Sequence, residues 1–176
     1  MATQPVSLSP GEWAVLGVVA EGPTHGFAVA QLLAEDGSLG RVWTVPRPLV
    51  YQALNKLLDQ GLIAQQATER SHVGPSRRIV TVTTGGRRVL RRWLATPVEH
   101  VRDIRSLLLL RLALLDRAGT DPRPLLEAQR TRLEPQRAAL EQQLDRNDGF
   151  ERVLAQWRLA SSHATLEFIE AILSTR

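Results

Sequence analysis

Arg47, Tyr51, Gln52 and Asn55 are the residues of this chain whose types and spacing could do chemistry on a polyanion. Gln and Asn carry amide forks that pair with adenine edges in a DNA major groove, and an Arg guanidinium pairs with guanine or phosphate. Together with Pro48 and Lys56 they occupy the outward positions of a helix expected to start near Pro46. Its buried stripe would be Leu49, Ala53, Leu54, Leu57 and Leu58. Tyr51 and Lys56 have the character of phosphate contacts, which position a protein without specifying sequence. A second basic set, Arg70, Arg77 and Arg78, falls in a segment that reads as a hairpin. Residues 62–68 read as one strand, 69–76 as a loop holding Gly74-Pro75, and 77–83 as the return strand. That loop is too long for a tight two-residue turn, so the hairpin is expected to project as a wing.

The charge agrees with this placement. Residues 41–93 hold nine Arg and one Lys against Asp59 and Glu69, a net +8. Residues 1–40 carry four acids and no Arg or Lys, and residues 94–176 carry twelve of each sign. An excess concentrated in one helix–hairpin–helix block is the electrostatic footprint of a polyanion binder, here duplex DNA.

Other chemistries lack their residues. With no Cys there is no disulfide, thiol nucleophile or thiolate metal site, which fits a cytoplasmic protein. His25, His72, His100 and His163 are scattered, and none has a metal-ligand partner at helical spacing. No glycine-rich phosphate loop and no G-x-S-x-G elbow is present. Neither catalysis nor a cofactor or metal is expected. No apolar run reaches 18 residues, so no membrane span is expected, and residues 1–8 do not resemble a secretory signal.

The elements that must position the basic block are helical. Ser9-Pro10-Gly11-Glu12 opens a first helix with a capping box. A second is expected from His25 to about Glu35, with Thr24 as its cap, and the third is the one bearing Tyr51. After the hairpin, Thr84 is expected to cap a fourth helix carrying Arg87, Arg88, Arg91 and Arg92. Those four arginines read as a solvated face, as partners for acids further on, or as DNA contacts. Beyond Thr96-Pro97 the chain reads as helical throughout. Residues 107–115 are apolar nearly all round, which argues a buried helix. The next helix starts at Asp121-Pro122 and is expected to kink or break near Thr131, because Pro135 lies inside it. The last helix places Phe150, Val153, Trp157, Ala164, Phe168 and Ile172 on one apolar stripe. Such a stripe serves either packing within the chain or pairing with a second copy.

The fold class that follows is mostly α: a winged helix-turn-helix DNA-binding domain over 1–97 and a helical dimerisation domain over 98–176. Trp13, Phe27, Trp43, Trp93 and Trp157 are ordinary core aromatics or walls of an effector pocket.

These residues resemble PadR-type transcriptional regulators. Val50-Tyr51-Gln52-Ala53-Leu54-Asn55-Lys56-Leu57, closing on Gly61-Leu62-Ile63, resembles that family's recognition helix. His25-Gly26-Phe27 resembles its His-Gly-Tyr, and Thr83-Thr84-Gly85-Gly86-Arg87 with Leu90 and Trp93 its motif after the wing. Residues 102–112 and the long helices beyond are similar to the larger subgroup with a helical dimerisation tail. The resemblance implies a homodimeric regulator, most often a repressor, on a palindromic operator. It also implies release by a small, often aromatic effector bound between the DNA-binding and helical domains. Phe27 replaces the usual Tyr, Pro48 stands where a small Ser or Gly is common, and Arg47 is distinctive; these bear on the operator rather than the fold. The alternative reading is a winged-helix module that binds another protein through its helical tail.

Overall fold

A computed structural model describes residues 7–69 and 77–175. Of the expected loop 69–76, Glu69 closes a strand instead, and residues 70–76, with Arg70, lie outside the described residues.

The first helix, α1 (Pro10–Glu21), begins where its capping chemistry places it. Ser9 Oγ accepts from the Glu12 N–H at 3.3 Å, and Glu12 Oε2 accepts from the Ser9 N–H at 2.8 Å, a reciprocal capping box. Trp13 to Val19 are all buried, so α1 forms the centre of its unit. β1 (Thr24–His25) comes next, a two-residue strand that periodicity does not reveal. α2 (Gly26–Leu32) follows at once. Its cap is His25, whose Nδ1 accepts from the Ala28 N–H at 3.1 Å. The expected cap, Thr24, is instead paired with Val80 in the sheet.

α3 (Arg47–Asp59) buries Val50, Ala53, Leu54 and Leu57. Leu49, expected in that stripe, is 49% exposed because Val50 takes the inward position of the first turn. Gly61, at φ +65°, ends the helix in the left-handed region. There the Gly61 N–H donates to the Leu58 carbonyl and the Leu62 N–H to the Leu57 carbonyl, both at 2.9 Å. These crossing bonds satisfy the last turn's orphan carbonyls.

β2 (Ile63–Glu69) and β3 (Arg77–Val82) are antiparallel, and the sheet order is β1-β3-β2. The register slips by one between Gln65 and Ala67, a bulge that increases local twist. α4 (Thr84–Leu94) is capped by Thr83, one residue earlier than expected. Thr83 Oγ1 accepts from the Gly86 N–H at 3.0 Å and lies 2.8 Å and 3.0 Å from the Gly61 and Leu62 carbonyls. One hydroxyl thus ties the start of α4 to the turn that ends α3. Three helices with a three-stranded wing sheet make a winged helix-turn-helix.

The remainder is helical: a 3₁₀ turn (Val101–Asp103), a π turn (Ile104–Leu108), α5 (Leu109–Arg117), α6 (Arg123–Arg146) and α7 (Gly149–Ser174). Two compact units result, one of residues 7–94 with Leu110–Thr120, the other of 95–109 with 121–175. The sequence suggested one cut at 97/98; the chain instead returns to the first unit through α5. Leu114 lies against Gly17 of α1, and Arg117 pairs with Glu21 at 2.6 Å.

In the second unit α6 and α7 pack along each other. Gln129, fully buried on α6, accepts from the Val98 N–H at 2.7 Å and donates to the Val98 carbonyl at 3.1 Å. α6 runs unbroken through Pro135, contrary to the expected break. The carbonyl that Pro135 leaves unbonded belongs to Thr131, and both residues are exposed, where solvent can serve it. α7 buries Ala155, Leu159, Ser162, Thr165 and Ile169. Its other apolar stripe stays outside: Phe150, Val153 and Trp157 are 74%, 60% and 57% exposed. Among the described residues, no helix is long and apolar enough to cross a membrane.

Candidate nucleic-acid interface

α3 presents Arg47, Pro48, Tyr51, Gln52 and Asn55 on one exposed face. The 48, 51, 52, 55 spacing follows the helical repeat, and the buried Val50, Leu54 and Leu57 hold the opposite face against the core. α2 approaches closely beside Tyr51. A Cβ at Gly26 would stand 2.6 Å from Tyr51 Cε1, so only glycine allows this approach without a shift. The next residue, Phe27, is exposed and meets Arg47. The guanidinium carbon lies 5.3 Å from the Phe27 ring centroid and 5.9 Å from that of Tyr51, both within cation–π range.

Lys56 is differently engaged. Its Nζ lies 2.8 Å from both carboxylate oxygens of Glu12, the residue that completes the α1 cap. Burial pushes the Glu12 carboxyl upward, but hydrogen bonds from Lys56 and Ser9, with the Lys56 charge, outweigh it and hold the group below its ordinary value. Lys56 therefore joins α3 to α1. Sequence reading gave it only a phosphate-facing role, because its partner is 44 residues away.

On the wing, Arg78 is exposed on β3, and Arg77 opens that strand in register with Glu69. Arg70 lies outside the described residues. On α4, Arg87 Nη1 donates to the Ala20 carbonyl at 3.3 Å, while Arg88 and Arg91 are exposed. Leu49 is a further exposed side chain on α3 that the apolar pattern assigned to the core.

Of the five candidate pocket aromatics, Trp13 and Trp93 come together, while Phe27 and Trp157 line separate cavities. Trp13 and Trp93 stack with centroids 4.7 Å apart and planes 9° apart, and Arg111 lies over the Trp93 ring at 4.5 Å. Trp43 is half-buried near Gly11 of α1. Phe27 lines a cavity of about 370 Å³ with Ala30, Val45, Pro46 and Arg47. A larger cavity, about 630 Å³, lies in the helical unit and is lined by His100, Arg102, Gln143, Trp157 and Arg158 among others. Of the α7 stripe, Ala164 is exposed, while Phe168 and Ile172 are half-buried.

Comparison with known proteins bears on this arrangement. Residues 15–92 match the Transcriptional regulator PadR-like family. The chain is similar to the probable transcriptional regulator Rv1176c of Mycobacterium tuberculosis, 26% identical over 93 residues, 53% of this chain. The matched segment spans 48% of that relative, about half its length. Bacillus subtilis PadR, solved in complex with operator DNA, is 18% identical with a TM-score of 0.48, covering 93% of this chain and 97% of that one. The smu.1604c protein of Streptococcus mutans is 19% identical with a TM-score of 0.45, covering 94% and 99%. The matched stretch takes in the later part of α1, all of α2 and α3, the hairpin strands and most of α4. Through residues 15–92, a little under half of its length, this chain is similar to the PadR-like family of transcriptional regulators.

Proposed function

We propose that this protein is a sequence-specific DNA-binding regulator that works in the cytoplasm as a homodimer, represses from a palindromic operator and is released by a small-molecule effector. The observation that carries the DNA reading is the exposed face of α3. Arg47, Tyr51, Gln52 and Asn55 stand together there, in the one block of the sequence with a large charge excess. In this reading α3 enters the major groove, and Gln52, Asn55 and Arg47 read base edges while Pro48 fits the groove wall. Tyr51 and the wing arginines, Arg70, Arg77 and Arg78, take phosphates. Lys56 contributes to the field of the surface, with its ammonium held by Glu12.

Homodimerisation is supported by the α7 stripe. Phe150, Val153 and Trp157 form an apolar patch that their own unit leaves uncovered, and such patches mark interaction sites. Ala164, Phe168 and Ile172 continue it. A two-fold pair would present two recognition helices to half-sites one helical turn apart.

The effector part of the reading is supported by the cavity in the helical unit. Its lining brings Trp157 together with Arg102 and Arg158, and its one carboxylate, Glu99, is paired with Arg132 at 3.0 Å; the balance suits a small organic anion with a flat apolar body. Trp157 belongs to both the cavity and the stripe, so a ligand there favours a different dimer geometry by its differential affinity for the two. An effector screen follows directly: compounds that dissociate the protein from DNA should lose that effect in Arg158→Ala. Release that is unchanged in this variant places the effector elsewhere.

A further inference from the structure

Arg47 is held in a way that a free surface arginine is not. Its guanidinium lies over two rings, Phe27 on α2 at 5.3 Å and Tyr51 one turn along its own helix at 5.9 Å. Among the described residues it makes no hydrogen bond and no ion pair. Phe27 itself is 45% exposed, so burial in a core does not account for its position. A guanidinium resting on ring faces keeps its N–H edge available, and that edge is the fork that matches the O6 and N7 of guanine. The position also suits readout, since the first turn of a recognition helix supplies the residues that reach base edges. The approach is built into the backbone: Gly26 lets α2 close on Tyr51, which sets Phe27 beside the start of α3.

We infer that Phe27 is a specificity-determining positioning residue: with Tyr51 it forms a two-ring clamp that aims the Arg47 guanidinium at a guanine. The inference rests on the proposed DNA-binding role of α3. It adds to that role a residue from outside the recognition helix, acting through Arg47. Without the clamp, Arg47 has the rotamer freedom of a long exposed side chain and must lose it on binding. With the clamp, that loss is already made, and the charge is directed before the DNA arrives.

The test is a double-mutant cycle on the full chain, using the duplex that the protein itself enriches from a random-sequence pool. Fluorescence anisotropy gives Kd for Arg47→Ala, Phe27→Ala and the double variant, on that duplex and on versions with each guanine replaced. Arg47→Ala is expected to weaken binding about tenfold or more and to erase the preference at one guanine. Phe27→Ala is expected to weaken binding about three- to tenfold and blunt the preference at the same guanine. The double variant should bind no worse than Arg47→Ala alone. Phe27→Tyr keeps a ring and should restore the preference, whereas Phe27→Leu keeps only apolar bulk and should not. The clamp is overturned if Phe27→Ala costs as much in the Arg47→Ala background as in the parent, or if Leu restores what Ala loses. It is also overturned if Phe27→Ala tightens binding, which would make the stack a resting pose that DNA must break. An Arg47→Ala chain that binds and discriminates like the parent overturns the role assigned to Arg47, and the clamp with it. A thermal melt of each variant separates these effects from unfolding.

Discussion

Arg47 and Lys56 sit on the same helix and carry the same charge, yet their surroundings give them different work. Arg47 rests on two rings and keeps its donors free; Lys56 is tied to Glu12 by two contacts of 2.8 Å. Replacing Gln52 or Tyr51 with Ala should weaken specific binding about tenfold or more while leaving the oligomer intact, read by anisotropy and sedimentation. Equal binding by those variants would mean that α3 is not the reading element. Glu12 gives a pH prediction. Its folded carboxyl is held below its ordinary value, so it contributes stability that is present above about pH 4.5 and lost as pH falls through the folded value. Thermal melts of the parent should therefore fall across the acid range, and Glu12→Gln should show a shallower fall. The outward set of α3 was legible in the sequence because a 3.6-residue repeat assigns faces without knowledge of partners. The Lys56–Glu12 pair was not, since nothing local joins residues 44 apart. Leu49 was misplaced because Leu49 and Val50 compete for one inward position, and their relative burial is decided by packing.

Among elements, those with their own end chemistry were read most closely. α1 carries its capping box, and α3 its Gly61 turn. β1 escaped because a two-residue strand has no periodicity; it exists only through its pairing with β3. The caps of α2 and α4 fell one residue from expectation, since Thr24 and Thr83 are drawn into the sheet and the α3 turn respectively. Pro135 does not end α6: a proline costs one hydrogen bond and some crowding, and on the exposed face of a long packed helix that cost is tolerated. It should still be measurable. Pro135→Ala is expected to stabilise the helical unit by about 1–3 kcal/mol, the gain being reduced by a looser unfolded chain. A higher melting temperature by circular dichroism is the expected outcome; a lower one would mean the helix needs a bend at Pro135.

At the scale of the whole molecule, the sequence showed where charge and apolar surface concentrate but not which of two faces α7 buries at home. Both faces have helical spacing; the structure buries Ala155, Leu159 and Ile169 and leaves Phe150, Val153 and Trp157 exposed. Trp157→Glu should therefore shift the protein toward monomer in sedimentation while keeping its helical circular-dichroism spectrum, and should weaken operator binding through loss of the paired half-sites. A variant that stays dimeric would move the interface away from this stripe. If each protomer neutralises about four to six phosphates, log affinity should fall against log salt with a slope near −0.9 per phosphate. The measurement that tests the central claim most directly is an anisotropy titration of the full chain on the DNA upstream of its own gene. It is run near physiological salt with excess nonspecific competitor. A discrete complex of roughly nanomolar affinity, resistant to that competitor, is the predicted result. Weak binding that any competitor erases equally, there and on duplexes taken from a random pool, would contradict it.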